Sequence, residues 1–270
     1  MFLGFFFSEF DNVYIVIKLF VVMKEVFGFK KSQTSAFVIL AVIILAVVVV
    51  FFVVRGEFDI LANNNSPEGI NNFVLGCVEE VSEYAIFYVG DTGGYYVLPD
   101  EGVENSAYYY KEESLILDKD LIVSNMGRIF DDLLVYCVNG FRDFEDYDVV
   151  EGELVSRVSS EGDKIVFDVD YPITIKKGED VSRFENYLVE HNVRFDTVYS
   201  AASRVVDAFE ERGDAICMSC LEDINLDLGV SVHMLEYEDR DILFTINDPL
   251  SEVFDESYEF SFGVRLDESE

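Results

Sequence analysis

From residue 36 to residue 54 the chain reads AFVILAVIILAVVVVFFVV, nineteen apolar positions without a charge, proline or glycine. A helix of that length rises about 28 Å, close to the roughly 30 Å hydrocarbon core of a bilayer. In lipid only a helix satisfies its own backbone groups here, so the Val and Ile positions are expected to be helical despite their β preference. Lys30, Lys31 and Arg55 bracket the run. This pattern predicts a transmembrane helix over 36–54. It divides the chain into an N-terminal segment (1–35), the span, a short stalk (55–66) and a domain from 67 to 270.

After the stalk the period of the apolar positions becomes helical. Ser66 is a good N-cap, Pro67 suits the first helical position and Glu68 favours the positive end of the helix dipole. Phe73, Val74, Cys77, Val78, Val81 and Ala85 then fall on one face, which predicts a helix to about Tyr88. Gly90-Asp91-Thr92-Gly93-Gly94 ends it. Strands are expected at 95–98 and 107–111, and a second helix at about 121–140 carrying Ile129, Leu133, Leu134 and Cys137. From Gly152 the period falls to two. Leu154, Ser156 and Val158 alternate, then Ile165, Phe167 and Val169 beyond a turn at 160–163, with a third strand at 171–175 and a fourth within 181–188. A third helix is expected over 195–212, and strands near 230–237, 242–246 and 258–264. Strands in runs, without strict βαβ alternation, predict an α+β domain of antiparallel strands with about three helices.

Charge changes the picture more than composition does. The 215 residues after Arg55 carry fifty acidic and fourteen basic side chains, a net of about −36, whereas the first fifty-five carry three and five. Such a surface repels nucleic acid and anionic lipid headgroups, and neither is an expected partner of the domain. Half the chain is apolar, so the domain is not disordered. A packed core and so much like charge are compatible in molar salt, where the Debye length falls to about 3 Å. Carboxylates spread along the chain beside only nine lysines therefore point to a salt-adapted protein. The bias of Lys24, Lys30 and Lys31 places the N-terminus in the cytoplasm and the acidic domain outside. No small-residue cleavage site follows the span, which is expected to remain as the anchor.

Residues 1–22 are apolar but broken by Glu9, Asp11 and Lys18; they read either as an interfacial helix or, preferably, as an extension ahead of a true start at Met23. Lys30-Lys31-Ser32-Gln33 resembles the processing signal of archaeal type IV pilin-like proteins, in which the cut falls before the Gln. Phe37 stands where pilins usually carry Glu, and the helix stops near Arg55-Gly56 where pilin helices run on. Across most of residues 28–262 the chain resembles a family of uncharacterised single-pass surface proteins of DPANN archaea, including salt-loving nanohaloarchaea. The matching pieces are the basic-Gln start, the Cys77 helix leading to Gly93-Gly94-Tyr95 and Pro99, the tyrosine strand at 108–110, Cys137, Tyr171-Pro172-Ile173-Thr174, Cys217-Met218-Ser219-Cys220 and Asp248-Pro249. The resemblance implies a location and an architecture, but no activity.

Four cysteines, Cys77, Cys137, Cys217 and Cys220, all follow the span. Outside the cell they are expected to oxidise, and four allow three pairings. Cys77 and Cys137 on the apolar faces of two helices suggest one bridge, leaving Cys217 and Cys220 to close locally. A zinc site lacks a second C-x-x-C, and a redox-active C-x-x-C of thioredoxin type lacks a preceding strand. Asp223, Asn225 and Asp227 have the 1-3-5 spacing of a calcium loop, without its glycine at six or glutamate at twelve, and suit a half-buried strand equally well. Asp91-Thr92-Gly93 copies the aspartic-protease tripeptide once, where a glycine-rich turn explains it without chemistry. His191 and His233 stand far apart with no nucleophile assignable to either. The tyrosines at 95–96 and 108–110 read as cross-strand packing or as an adhesive surface. Asn64 opens a glycosylation sequon followed by Pro67.

The sequence thus predicts a single-pass, cell-membrane protein with an extracellular acidic domain, contacting the bilayer through 36–54 and acting in interaction or envelope structure, with a surface protein or host cell as its partner. A pilin-like filament subunit and an extracytoplasmic thiol oxidoreductase or other enzyme are the alternatives. The balance leans away from an enzyme, and beyond weak calcium no cofactor is expected.

Overall fold

A computed structural model describes residues 66–98, 107–110, 113–212, 216–236 and 241–265. The expected span at 36–54, the stalk before Ser66, Asn64, Gln33 and the two alternative starts lie outside the described residues. Among the described residues no helix is long and apolar enough to cross a membrane. Residues 65–270 form one compact unit.

The first helix, α1, spans Pro67–Asp91, and the Ser66 side chain accepts from the Gly69 amide as a cap. Its buried stripe runs from Ile70 through Val74, Val78, Ala85 and Ile86 to Val89. At Gly90 the helix comes so close to residues 258–259 that a Cβ there would collide with the Glu259 carbonyl oxygen and the Tyr258 ring. The expected strand at 95–98 is not formed. Gly93 and Gly94 turn the chain at φ 58° and 88°, and side chains then take the carbonyls around the turn. Tyr108 Oη donates to the Gly93 carbonyl at 2.7 Å, Asn125 Nδ2 to that of Gly94 at 2.8 Å, and the Thr92 hydroxyl lies 2.8 Å from those of Tyr88 and Tyr95.

Two sheets follow from the remaining elements. Strands β1 (Ala107–Tyr110), β2 (Glu113–Ser114), β7 (Ser231–Glu236), β8 (Asp241–Val253) and β9 (Glu256–Arg265) make one, in the order β2-β1-β9-β8-β7. The expectation of antiparallel strands needs one correction, because β1 runs parallel to β9. Parallel pairing demands a long crossover, and the chain between these two strands contains the entire second sheet. That sheet is built on β5 (Lys164–Lys177), flanked by β3 (Asp148–Glu151) and β4 (Val155–Glu161) on one side and β6 (Asp180–His191) on the other.

Strand β5 absorbs what reads in sequence as two strands. Ile165, Phe167, Val169, Tyr171, Ile173 and Ile175 are all buried, so the alternation never breaks. Pro172 lacks an amide to donate, and the register with β6 shifts between Asp170 and Ile173 to accommodate it. Helix α2 (Lys119–Val138) lays Ile122, Met126, Phe130 and Leu134 on this sheet, with Phe130 and Phe167 rings 5.3 Å apart. Helix α3 (Phe195–Arg212) covers the other sheet, Phe209 lying 5.7 Å from Tyr109 and 5.8 Å from Phe244. A fourth helix, α4 (Met218–Leu228), occupies the stretch read as a calcium loop or strand. Its capping by Cys217 and by Gly229 in the left-handed region outweighs the local alternation. The fold class is α+β, with four α-helices among the described residues and mixed rather than purely antiparallel pairing.

Candidate functional site

The cysteines pair as the helical faces suggest. Cys77 of α1 is bonded to Cys137 of α2, their Cα atoms 5.7 Å apart, and Cys217 to Cys220 at the mouth of α4; no cysteine among the described residues is free. The two bridges sit in different surroundings. Cys77 is buried between its helices, whereas Cys217 and Cys220 are half-buried beside exposed Met218 and Ser219.

The other sequence candidates separate. On α4 the 1-3-5 spacing places successive members about 200° apart around the helix, so Asp223, Asn225 and Asp227 do not converge. Asn225 Oδ1 accepts the Val232 amide at 2.8 Å, and Asp227 pairs with Arg204 of α3 at 3.1 Å. Among the described residues no group of three His, Cys, Asp or Glu side chains is arranged to hold a metal ion. Asp91 is exposed at the end of α1 and Thr92 is spent on the turn, which leaves the Asp-Thr-Gly tripeptide a helix terminus. Tyr108 and Tyr109 are buried, and Tyr108 stacks 4.8 Å from Phe262. Packing is therefore their use.

Tertiary structure also creates contacts that sequence spacing hid. His191, at the end of β6, lies with Nε2 2.7 Å from Ser82 Oγ on α1, 109 residues away in the chain. This is no nucleophile–base pair, because Ser82 is fully buried and its hydroxyl donates to the Glu79 carbonyl at 2.9 Å. The serine oxygen is then the acceptor and Nε2–H the donor. Burial pushes the His191 pKa down, outweighing the opposite pull of Glu83 and Glu79. A histidine whose folded pKa is depressed contributes stability above its unfolded value, about 6.5, and loses it as pH falls through the folded one. The loss in unfolding free energy between about pH 7 and pH 5 should accordingly be smaller in His191→Gln than in the natural chain. Parallel pH curves for the two proteins would remove this assignment.

Two open cavities lie among the described residues. One, of about 550 Å³, lies between α2 and β4 and is lined by Lys119, Arg128, Arg157, Asp131, Ser156 and Ser160, among others. Its cations are largely engaged: Lys119 with Asp196 at 3.1 Å, Arg157 with Asp168 at 3.3 Å, and Arg128 4.0 Å above the Tyr96 ring. Burial raises the pKa of Asp131, and its Oδ1 has no hydrogen-bond partner. The other, of about 460 Å³, lies under the β8–β9 turn beside Phe87, Phe254 and Asp91. Neither assembles a nucleophile, a base and an orienting group.

An ion pair with a wholly buried carboxylate lies apart from both. Arg194, just before α3, donates through Nε to Asp248 Oδ2 at 3.1 Å and through Nη2 to Oδ1. Ser251 Oγ and the Leu250 amide also donate to this carboxylate, which is wholly buried. The Arg194 fork reaches on to the Leu228 and Gly229 carbonyls at the end of α4. Asp248 sits where the β8–β9 register shifts, so the network fastens a bulge to two helices. In sequence, Asp248-Pro249 falls beyond the strand expected at 242–246, and the proline is the signal that could have marked the bulge.

No family model matches the chain, and neither a curated protein nor a solved structure matches it.

Proposed function

We propose that the chain is a membrane-anchored cell-surface protein whose acidic, salt-adapted domain, residues 67–270, works outside the cell in interaction or envelope structure. The observation that carries this reading is the pairing of all four cysteines into two disulfides within the domain that follows the apolar run. Disulfides persist in oxidising surroundings and are rare where glutathione and thioredoxin keep thiols reduced. The lysine bias before residue 36 and the net charge of about −36 after Arg55 agree with that side of the membrane and with a saline medium. The family resemblance points the same way.

Protease added to intact cells should degrade the domain beyond Arg55 while a tag at Met23 stays protected. Protection of both ends would refute the orientation. The mature N-terminus in the same cells separates the rivals, because a start at Gln33 favours a pilin-like filament subunit over a simple anchor.

A further inference from the structure

The Cys217–Cys220 bridge invites a different question from the Cys77–Cys137 bridge. It joins residues only three apart, so the chain entropy it removes from the unfolded state is small. Stabilisation is a poor account of it. Its position is chemically specific: Cys217 is the N-cap of α4, an eleven-residue helix, and its Sγ accepts the Cys220 amide at 3.2 Å. The Ser219 hydroxyl lies 3.6 Å from the same sulfur. A thiolate at Cys217 would thus meet a directed N–H, a hydroxyl and the positive end of a helix dipole, the surroundings that lower a thiol's pKa.

A second observation strengthens this. The first turns of α1, α2 and α3 each carry an acid, Glu68, Asp120 and Asp196, as expected in a chain with fifty-three acidic residues. The first turn of α4 carries none. A carboxylate there would stabilise the helix but oppose a thiolate. Cys217 and Cys220 are half-buried and flank exposed Met218 and Ser219, whereas Cys77 is buried against α2.

We propose that the Cys217–Cys220 disulfide is a thiol–disulfide exchange centre that accepts two electrons from an exposed dithiol. A substrate thiolate attacks Cys217 Sγ, a mixed disulfide forms, the Cys217–Cys220 bond breaks and Cys220 leaves as a thiolate. The second substrate thiolate then attacks the substrate sulfur of that mixed bond and expels the Cys217 thiolate. The dithiol becomes a disulfide, Cys217 and Cys220 become thiols, and the two substrate protons pass to them or to solvent. Stabilising the Cys217 thiolate stabilises the reduced protein, which makes its disulfide an oxidant.

The test uses the full chain in mild detergent and molar salt, equilibrated with mixtures of reduced and oxidised glutathione, quenched by alkylation and read by mass spectrometry. Cys217 and Cys220 should follow the buffer while Cys77 and Cys137 stay bonded, and the pH dependence of Cys217 alkylation should place its pKa at least about one unit below the ordinary value of about 8.5. Oxidised chain mixed with reduced ribonuclease A should lose its Cys217–Cys220 bond as ribonuclease disulfides appear; reaction with dithiothreitol but not with ribonuclease would assign a small dithiol instead. An ordinary or raised Cys217 pKa overturns the proposal, as does a Cys217–Cys220 bond no more reducible than Cys77–Cys137. A fall in unfolding midpoint in Cys217→Ser/Cys220→Ser as large as that from removing the Cys77–Cys137 bridge would also overturn it, since the bond would then be structural.

Discussion

Replacing Cys77 and Cys137 together by alanine is expected to lower the unfolding free energy of residues 65–270 by about 4 kcal/mol, the chain-entropy value for a loop of this length. The bridge spans sixty residues and ties α1 to α2, the two helices that carry much of the core between them. A domain of this kind has a total stability of about 5–15 kcal/mol, so the loss removes a large fraction of it. Replacing only Cys77 leaves an unpaired thiol on Cys137 and should cost at least as much. Denaturant unfolding of both variants under non-reducing conditions is the measurement. A loss below about 1 kcal/mol would show that native strain or residual structure in the unfolded chain offsets the constraint.

Replacing Arg194 by methionine is expected to cost about 3–5 kcal/mol, the range for stripping one partner from a buried pair. Asp248 is fully buried and would be left with only the Ser251 hydroxyl and the Leu250 amide as donors. Lysine should rescue little, because it cannot reproduce the two-point fork and the reach to the Leu228 and Gly229 carbonyls. Replacing both residues, Arg194→Met with Asp248→Leu, should recover most of the loss, since the expensive species is the unpaired buried charge rather than the missing pair. A double-mutant cycle by urea unfolding reads this directly. Additive losses would mean that the pair is not coupled as the geometry requires.

These residues show where sequence reasoning reached and where it stopped. Helix α1 was legible to its first residue, because Ser66, Pro67 and Glu68 act through groups one turn away. Strand β5 was legible in its face but not its extent. Alternation records which side chains point inward, whereas the bulge around Pro172 that joins the two halves is a property of pairing with β6. The strand expected at 95–98 failed for a related reason: the turn at Gly93 and Gly94 just before it is held by Tyr108 and Asn125, donors fifteen and thirty-one residues downstream.

Among the candidate sites, the cysteine pairing could be read because both partners of the long bridge lie among the apolar positions of two neighbouring helices. The acidic 1-3-5 pattern at Asp223 misled, because an alternation of five residues is too short to outweigh a capped helix. Local chemistry and periodicity alone determined the α+β class, the apolar run, the charge asymmetry and most elements, since each depends on neighbours within a few residues. Only the tertiary structure decided the parallel β1–β9 pairing, the Ser82–His191 contact and the Arg194–Asp248 network. Their partners are far apart in the chain, and no local free energy distinguishes those pairings until the two sheets and four helices are packed.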